Sequence, residues 1–167
     1  MIHIPAGYIK TMVDPKVNWL FDTEPEPNLA NREIPIPRGK VLGGTSSING
    51  MLYVRGQARD YDIWAQLGNR GWSYTDVLPY FKRSENREGG GDEFHGEGGP
   101  LNVADVTETY PVLNSLLEAG EELGYPRNAD YNGAVQEGIS YVQRTAYRRR
   151  RVSTARAFLK PAKSRPN

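Results

Sequence analysis

Between residues 111 and 123 the apolar positions Val112, Leu113, Leu116, Leu117 and Leu123 recur at helical spacing. Pro111 suits the first turn of such a helix and Gly124 suits its stop. A shorter helix is predicted from Asp60, with Tyr61, Trp64 and Leu67 on one face and Gly68 ending it. A third starts at Ser73, a good N-cap, with Asp76 as a weak capping-box partner and Trp72 and Val77 placed as a hydrophobic staple. Pro79 is expected to kink or restart that helix. Val17, Trp19 and Phe21 alternate with Asn18, Leu20 and Asp22, a strand pattern. Ile34 and Ile36 alternate with prolines, which restrict the segment to an edge strand or extended arm. Segments 17–22 and 32–37 therefore predict a hairpin. Residues 1–16 read as a short helix or loop, 139–145 as a partly alternating strand, and 154–160 as a helix capped by Ser153 and closed by Pro161. Residues 88–99 and 125–138 read as loops, the first a flexible surface loop. There are no internal repeats.

Composition narrows the function more than the fold. The 167 residues are enough for one domain with a real core. The apolar content of 38% and charged content of 25% are ordinary for a globular protein. A net charge of +1 gives no overall field for nucleic acid or membranes. With no cysteine, disulfides, thiolate metal sites and cysteine nucleophiles are excluded. No apolar run approaches the roughly 20 residues that span a bilayer, so no transmembrane segment is expected. The start, MIHIPAGYIK, lacks the apolar core of a signal peptide, and a cytoplasmic location is the expectation.

Candidate chemistry is sparse. His3 and His95 are far apart and lack metal-ligand spacing, so no metal site is expected. His95, in a glycine-rich loop, reads as structural or solvated. Asp60 and Asp62, two apart, read as helix-start charges rather than a catalytic pair. Neither a GxSxG elbow nor a Walker A lysine is present. The run Arg148–Arg151 reads as a solvated basic patch, with nucleic-acid contact as the other reading.

The stretch Arg38–Gly56, RGKVLGGTSSINGMLYVRG, stands apart. Paired glycines, Gly43 and Gly44, run into Thr45, Ser46 and Ser47, then Ile48, Asn49 and Gly50. Glycine lets a ligand approach the backbone, and a glycine turn feeding a capped helix start suits an anionic group. A capped joint that binds nothing fits the same spacing.

The run Gly39–Asn49, followed by Tyr53 and Arg55-Gly56, resembles the first signature of the glucose–methanol–choline (GMC) oxidoreductases, bacterial choline and alcohol dehydrogenase branch. Upstream Pro-Ala-Gly-Tyr, Asn-Trp and Thr-Glu-Pro, and downstream segments as far as Arg165-Pro166-Asn167, can be laid on the same family segment. The resemblance implies an α/β fold, α+β in isolation, that is part of an FAD-binding protein. Residues 1–56 would be a hairpin and flavin-binding loop, and 57–167 would lead into the substrate-side domain as part of a single compact fragment. It implies that Val41, Gly43, Gly44, Thr45, Asn49, Gly50 and Leu52 lie against FAD. Some members tether the flavin through a His just before the Asn; here that residue is Ile48, so FAD is expected to be non-covalent. Tyr53–Gly56 would continue the flavin-side loop.

The family's alcohol oxidation passes hydride to flavin N5 and a proton to a histidine beyond this segment. The GxGxxG fingerprint that holds the FAD pyrophosphate is also absent. No catalytic residue is therefore assigned, and the chain is expected to be an internal segment of a longer enzyme. Met1 is then an internal methionine or the product of truncation. A small-molecule alcohol is the expected substrate, with no nucleic-acid partner. The alternative is a truncated or split fragment that acts by association with missing halves or self-associates. The family often has a glycine in the turn before Ser153, where arginines stand here.

Overall fold

The computed structural model describes residues 1–166; Asn167 lies outside them. In chain order the elements are α1 (Tyr8–Thr11), β1 (Phe21–Asp22), β2 (Pro35–Ile36), α2 (Ala58–Gln66), α3 (Tyr74–Ser84), β3 (Glu85–Arg87), β4 (Leu101–Asp105), α4 (Pro111–Glu122), β5 (Gln143–Arg144), β6 (Ala146–Tyr147), β7 (Arg150–Arg151) and α5 (Lys160–Ala162). Helices and short sheets are mixed, as expected. The chain forms two compact units, Met1–Met51 with Thr145–Asn167, and Leu52–Arg144. The expected division at residue 56 into two sequential parts differs from this, because the C-terminal segment returns to the N-terminal unit.

The first unit holds the predicted hairpin in shortened form. β1 and β2 are antiparallel, with Phe21 opposite Ile36 and Asp22 opposite Pro35. The strand does not run from residue 17, because Leu20 has a φ of 54°. Asn18 explains the break: its buried Oδ1 accepts the Leu20 N–H at 3.1 Å and the Arg38 N–H at 2.8 Å, an Asx turn that interrupts the ladder between the Asn18–Gly39 bridge and β1–β2. Trp19 and Phe21, predicted for one strand face, stack on each other at 6.1 Å and stay half exposed.

β6 and β7 form a second hairpin, with Ala146 opposite Arg151 and Tyr147 opposite Arg150. Its two turn residues, Arg148 and Arg149, both have positive φ, 48° and 59°. That is the hand of a type I′ turn, which matches strand twist and ordinarily uses Asn-Gly. A helical stretch follows from Thr154, with a π-type turn over Ala155–Leu159 that the pattern did not predict. It runs into α5 rather than closing at Pro161. Pro161 thus lies inside the helical run, and the Lys163 N–H beyond it still reaches the Leu159 carbonyl at 3.1 Å. Ile48, Met51, Ala146, Val152 and Ala157 are the buried apolar residues of this unit.

The second unit is built on a three-stranded sheet in the order β3-β4-β5, parallel between β3 and β4 and antiparallel between β4 and β5. The predicted strand 139–145 shrinks to Gln143–Arg144. α3 starts with a full capping box, Ser73 with Asp76, and α2 with half of one, Asp60 Oδ2 accepting the Gln57 N–H at 2.9 Å. Asp62 Oδ1 accepts the Tyr74 N–H at 2.9 Å, so both aspartates serve helix ends. α3 runs through Pro79 without the restart that is one of the two outcomes expected there. Thr75 is exposed, so water reaches the carbonyl that proline leaves unpaired. Tyr61, Trp64, Trp72 and Phe81 pack as an aromatic cluster with edge-on contacts between 5.4 and 5.7 Å. α4 forms as predicted and ends at Gly124, φ 89°. Only Leu117 of its stripe is buried, while Leu116 is 67% and Leu123 79% exposed.

Candidate functional site

The glycine stretch is a tight turn pinned where it begins, on either side of Gly39. Trp19 N–H donates to the Arg38 carbonyl at 2.9 Å, and Lys40 N–H to the Val17 carbonyl at 2.8 Å. Gly43 and Gly44 both take left-handed backbone, φ 90° and 54°. A side chain on Gly43 would crowd Ser47 Oγ and the Ala155 backbone, whereas one on Gly44 would meet open space. Gly43 is therefore glycine for conformation and packing, and Gly44 for conformation on an approachable face.

The hydroxyls mostly face inward. Ser46 Oγ donates to the Gly43 carbonyl at 2.5 Å and takes the Thr154 N–H at 2.9 Å. Ser47 Oγ donates to the Leu42 carbonyl at 2.9 Å. Thr45 Oγ1 accepts the Gly39 N–H at 3.2 Å, which leaves its own proton to donate elsewhere. The expected helix start is only a 3₁₀ turn, Gly44–Ser47. Four residues do not add up to a useful dipole, so the anion-at-helix-start argument does not hold here.

Of the predicted site residues, Val41, Gly43, Gly44 and Thr45 are half-buried in this turn, and Asn49 and Gly50 are exposed at its end. Leu52 opens the other unit, 58% exposed and bridged to Arg144. Ile48, just before Asn49, is 1% exposed and points into the core.

Beneath Asn49 lies a residue that the sequence reading left among solvated arginines. Arg151 is 1% exposed. Its Nε donates to the Ile2 carbonyl at 2.9 Å, and its Nη1 to the Ser46 carbonyl at 3.2 Å and Asn49 Oδ1 at 2.9 Å. Its Nη2 is buried with no partner, and the residue makes no ion pair among the described residues. Burial pulls its pKa below the ordinary arginine value. The available signal was hairpin register: Arg151 faces the small apolar Ala146 across the ladder, and cross-strand partners share a face.

Asn49 Oδ1 also accepts the Met51 N–H at 3.1 Å. Two donors on the oxygen fix which end of the carboxamide is which, since the flipped amide would set N–H against N–H. The Nδ2 group makes no hydrogen bond among the described residues and is left on the exposed side. An outward donor, an uncrowded Gly44 and a free hydroxyl proton on Thr45 fit a ligand rich in hydrogen-bond acceptors, which FAD is.

The second buried polar centre lies in the other unit and also escaped the sequence. Glu85, 0% exposed, takes the Arg55 Nη2 at 2.7 Å, His95 Nδ1 at 3.1 Å and the Gly96 N–H at 2.8 Å. His95 Nε2 reaches Asp130 Oδ2 at 2.8 Å, and Arg87 Nη1 lies 3.4 Å from the same oxygen. His95 is thus structural, as one of its readings held, in a loop that is not solvent-facing throughout. Arg55, in the segment expected to continue the flavin-side loop, is buried. Burial pulls the His95 pKa down, but hydrogen bonds to Glu85 and Asp130 outweigh it and the net shift is upward. Burial raises Glu85, and the His95 hydrogen bond, the Gly96 N–H and Arg55 bring it below the ordinary value. Asp92, His95 and Asp130 bring their ligand atoms within 4.8 Å of one another, and Arg87 Nη1 already sets a cation 3.3 Å from Asp92 and 3.4 Å from Asp130.

Comparison with known proteins agrees on one family. The family model described as GMC oxidoreductase matches residues 5–167. The chain is 51% identical over 166 residues to an oxygen-dependent choline dehydrogenase of Sinorhizobium fredii, covering 99% of this chain and 30% of that protein. An oxygen-dependent choline dehydrogenase of Brucella anthropi is 50% identical, over 100% of this chain and 30% of the relative. Among solved structures, pyridoxine 4-oxidase from Mesorbium loti superposes with a TM-score of 0.92 at 32% identity, covering 99% of this chain and 33% of that one. An FAD-dependent oxidoreductase from Chaetomium thermophilum gives 0.83 at 29% identity, covering 92% and 29%. The chain spans about a third of the length of these proteins.

Proposed function

We propose that this chain, which belongs to the GMC oxidoreductase family, supplies the flavin-facing turn of an FAD-dependent enzyme that oxidises a small alcohol to an aldehyde. The observation that carries this reading is the exposed Asn49 Nδ2, an unused donor at the end of a glycine turn. When bound, FAD supplies the hydride acceptor that no side chain provides. In this reading Gly43 and Gly44 let the cofactor approach the backbone, Asn49 and the Thr45 hydroxyl donate to it, and Val41, Gly50 and Leu52 border it. Ile48 is buried and carries no nucleophile, so the cofactor is held without a covalent bond. The choline dehydrogenase relatives support an alcohol substrate of that size. A cytoplasmic location belongs to the same proposal. None of the described helices is long and apolar enough to cross a membrane.

The test is the visible absorption spectrum of the purified chain before and after incubation with FAD and gel filtration. Retained flavin is the expected result. A chain that never keeps the yellow colour would sink the claim that this turn holds FAD unaided, and family membership would stand. A second reading, action by association with further enzyme segments, is favoured by the exposed Leu116 on α4 and Leu123 just past its end. Under that reading flavin would be retained only after the remaining segments of such an enzyme are added.

A further inference from the structure

We infer that Arg151 is a positioning residue for Asn49, setting from beneath the turn which end of the carboxamide faces the ligand. The inference rests on the reading of the turn as a flavin site. Its geometry stands without the flavin.

The guanidinium is wholly buried, and Asn49, one layer above it, is exposed. Among the described residues the only side chain bonded to Arg151 is Asn49, through Oδ1 at 2.9 Å; its other partners are the carbonyls of Ile2 and Ser46. A charged donor and the Met51 N–H on one oxygen hold that oxygen inward, so Nδ2 must face out. The bond to a cation also draws electron density toward Oδ1, which makes the outward N–H groups better donors. With Nη2 unpartnered and no carboxylate engaged, the guanidinium's charge is not cancelled locally. An acceptor-rich or electron-rich ligand above the turn is the group that such a stack favours. Nothing else among the described residues fixes the amide: without Arg151 only the Met51 N–H would oppose a flip.

Substitutions that change the donor without changing the shape provide the test. Asn49→Asp keeps the inward oxygen and gives Arg151 a carboxylate, but removes the outward donor. On the 167-residue chain its Tm is expected to rise by about 3 °C, while FAD affinity, read by quenching of flavin fluorescence, falls roughly tenfold. In an Arg151→Met background the same Asn49→Asp change is expected to lower Tm, because its carboxylate then lacks a cation. Arg151→Lys, which is less disruptive to folding, is expected to preserve the sign of the Asn49→Asp effect at smaller size. Equal Tm changes from Asn49→Asp in all three backgrounds would overturn the inference, as would Asn49→Asp binding FAD like the unsubstituted chain. If the Tm coupling appears but no variant, the unsubstituted chain included, binds FAD, the positioning is supported and the flavin reading fails for the isolated chain.

Discussion

Each unit buries one arginine, and the two are held by opposite means. Arg55, 5% exposed, meets the Glu85 carboxylate at 2.7 Å in a network where Arg55, Arg87 and His95 face Glu85, Asp92 and Asp130. Arg151 meets only two carbonyls and an amide oxygen, and one of its N–H-bearing nitrogens has no partner. The first arrangement pairs its buried guanidinium with a carboxylate, although Arg87 Nε at its edge is, like Arg151 Nη2, buried without a partner. The second leaves charge and hydrogen-bonding capacity beside an exposed turn. Burial of a charge alone therefore does not mark a functional site; what separates the two is whether the protein has already answered the charge.

Removing the counter-charge should produce the largest effect. Glu85→Ala leaves Arg55 and His95 in a dry interior without their shared carboxylate, and breaking a buried pair costs about 3–5 kcal/mol. Urea denaturation should show that loss. A cost below about 1 kcal/mol would mean the network is solvated in solution.

The comparison also has a pH signature. His95 is raised in the folded chain, so its stabilisation is complete below its ordinary 6.5 and is lost as pH rises through the folded value. Glu85 is lowered, so its stabilisation holds above its ordinary 4.5 and is lost as pH falls through the folded value. Tm should thus peak between those limits. The alkaline loss should appear in hydrogen exchange of residues 52–144 and not of the Arg151 unit, and His95→Asn should flatten it. Loosening of both units alike above neutral pH would break the distinction.

Truncating the arginines gives a smaller contrast. Arg55→Met strands a buried carboxylate and should cost more than Arg151→Met, which strands only neutral acceptors at about 1–3 kcal/mol. Melting curves of the two variants should separate in that order.

This contrast was hidden in the sequence for a physical reason. The glycine turn, α2, α3 and α4 were legible because their signals are local: paired glycines, capping residues and apolar spacing at three to four. Arg151 looked like its exposed neighbours, because its burial depends on the β6–β7 register. The Glu85–His95–Asp130 chain joins residues up to 45 positions apart and has no local pattern. The first hairpin was legible in direction but not in length, since Asn18 redirects the Leu20 N–H.

The smallest predicted effect concerns the turn that delivers Arg151 to its place. Arg148 and Arg149 both sit at positive φ, and non-glycine residues there carry strain of roughly 1 kcal/mol each. Arg148 offsets part of this by lying 5.1 Å over the Tyr147 ring. The double substitution Arg148→Asn and Arg149→Gly supplies the residues a type I′ turn prefers while leaving β7 in register. It should stabilise the chain by about 0.5–1 kcal/mol, read as a small rise in Tm. It should leave the Asn49–Arg151 coupling unchanged, because the β7 register that buries Arg151 is kept. If Tm rises and the coupling disappears, the strained turn itself holds Arg151 under Asn49, and the open arginine would be a property of the hairpin tip rather than of the buried acceptors.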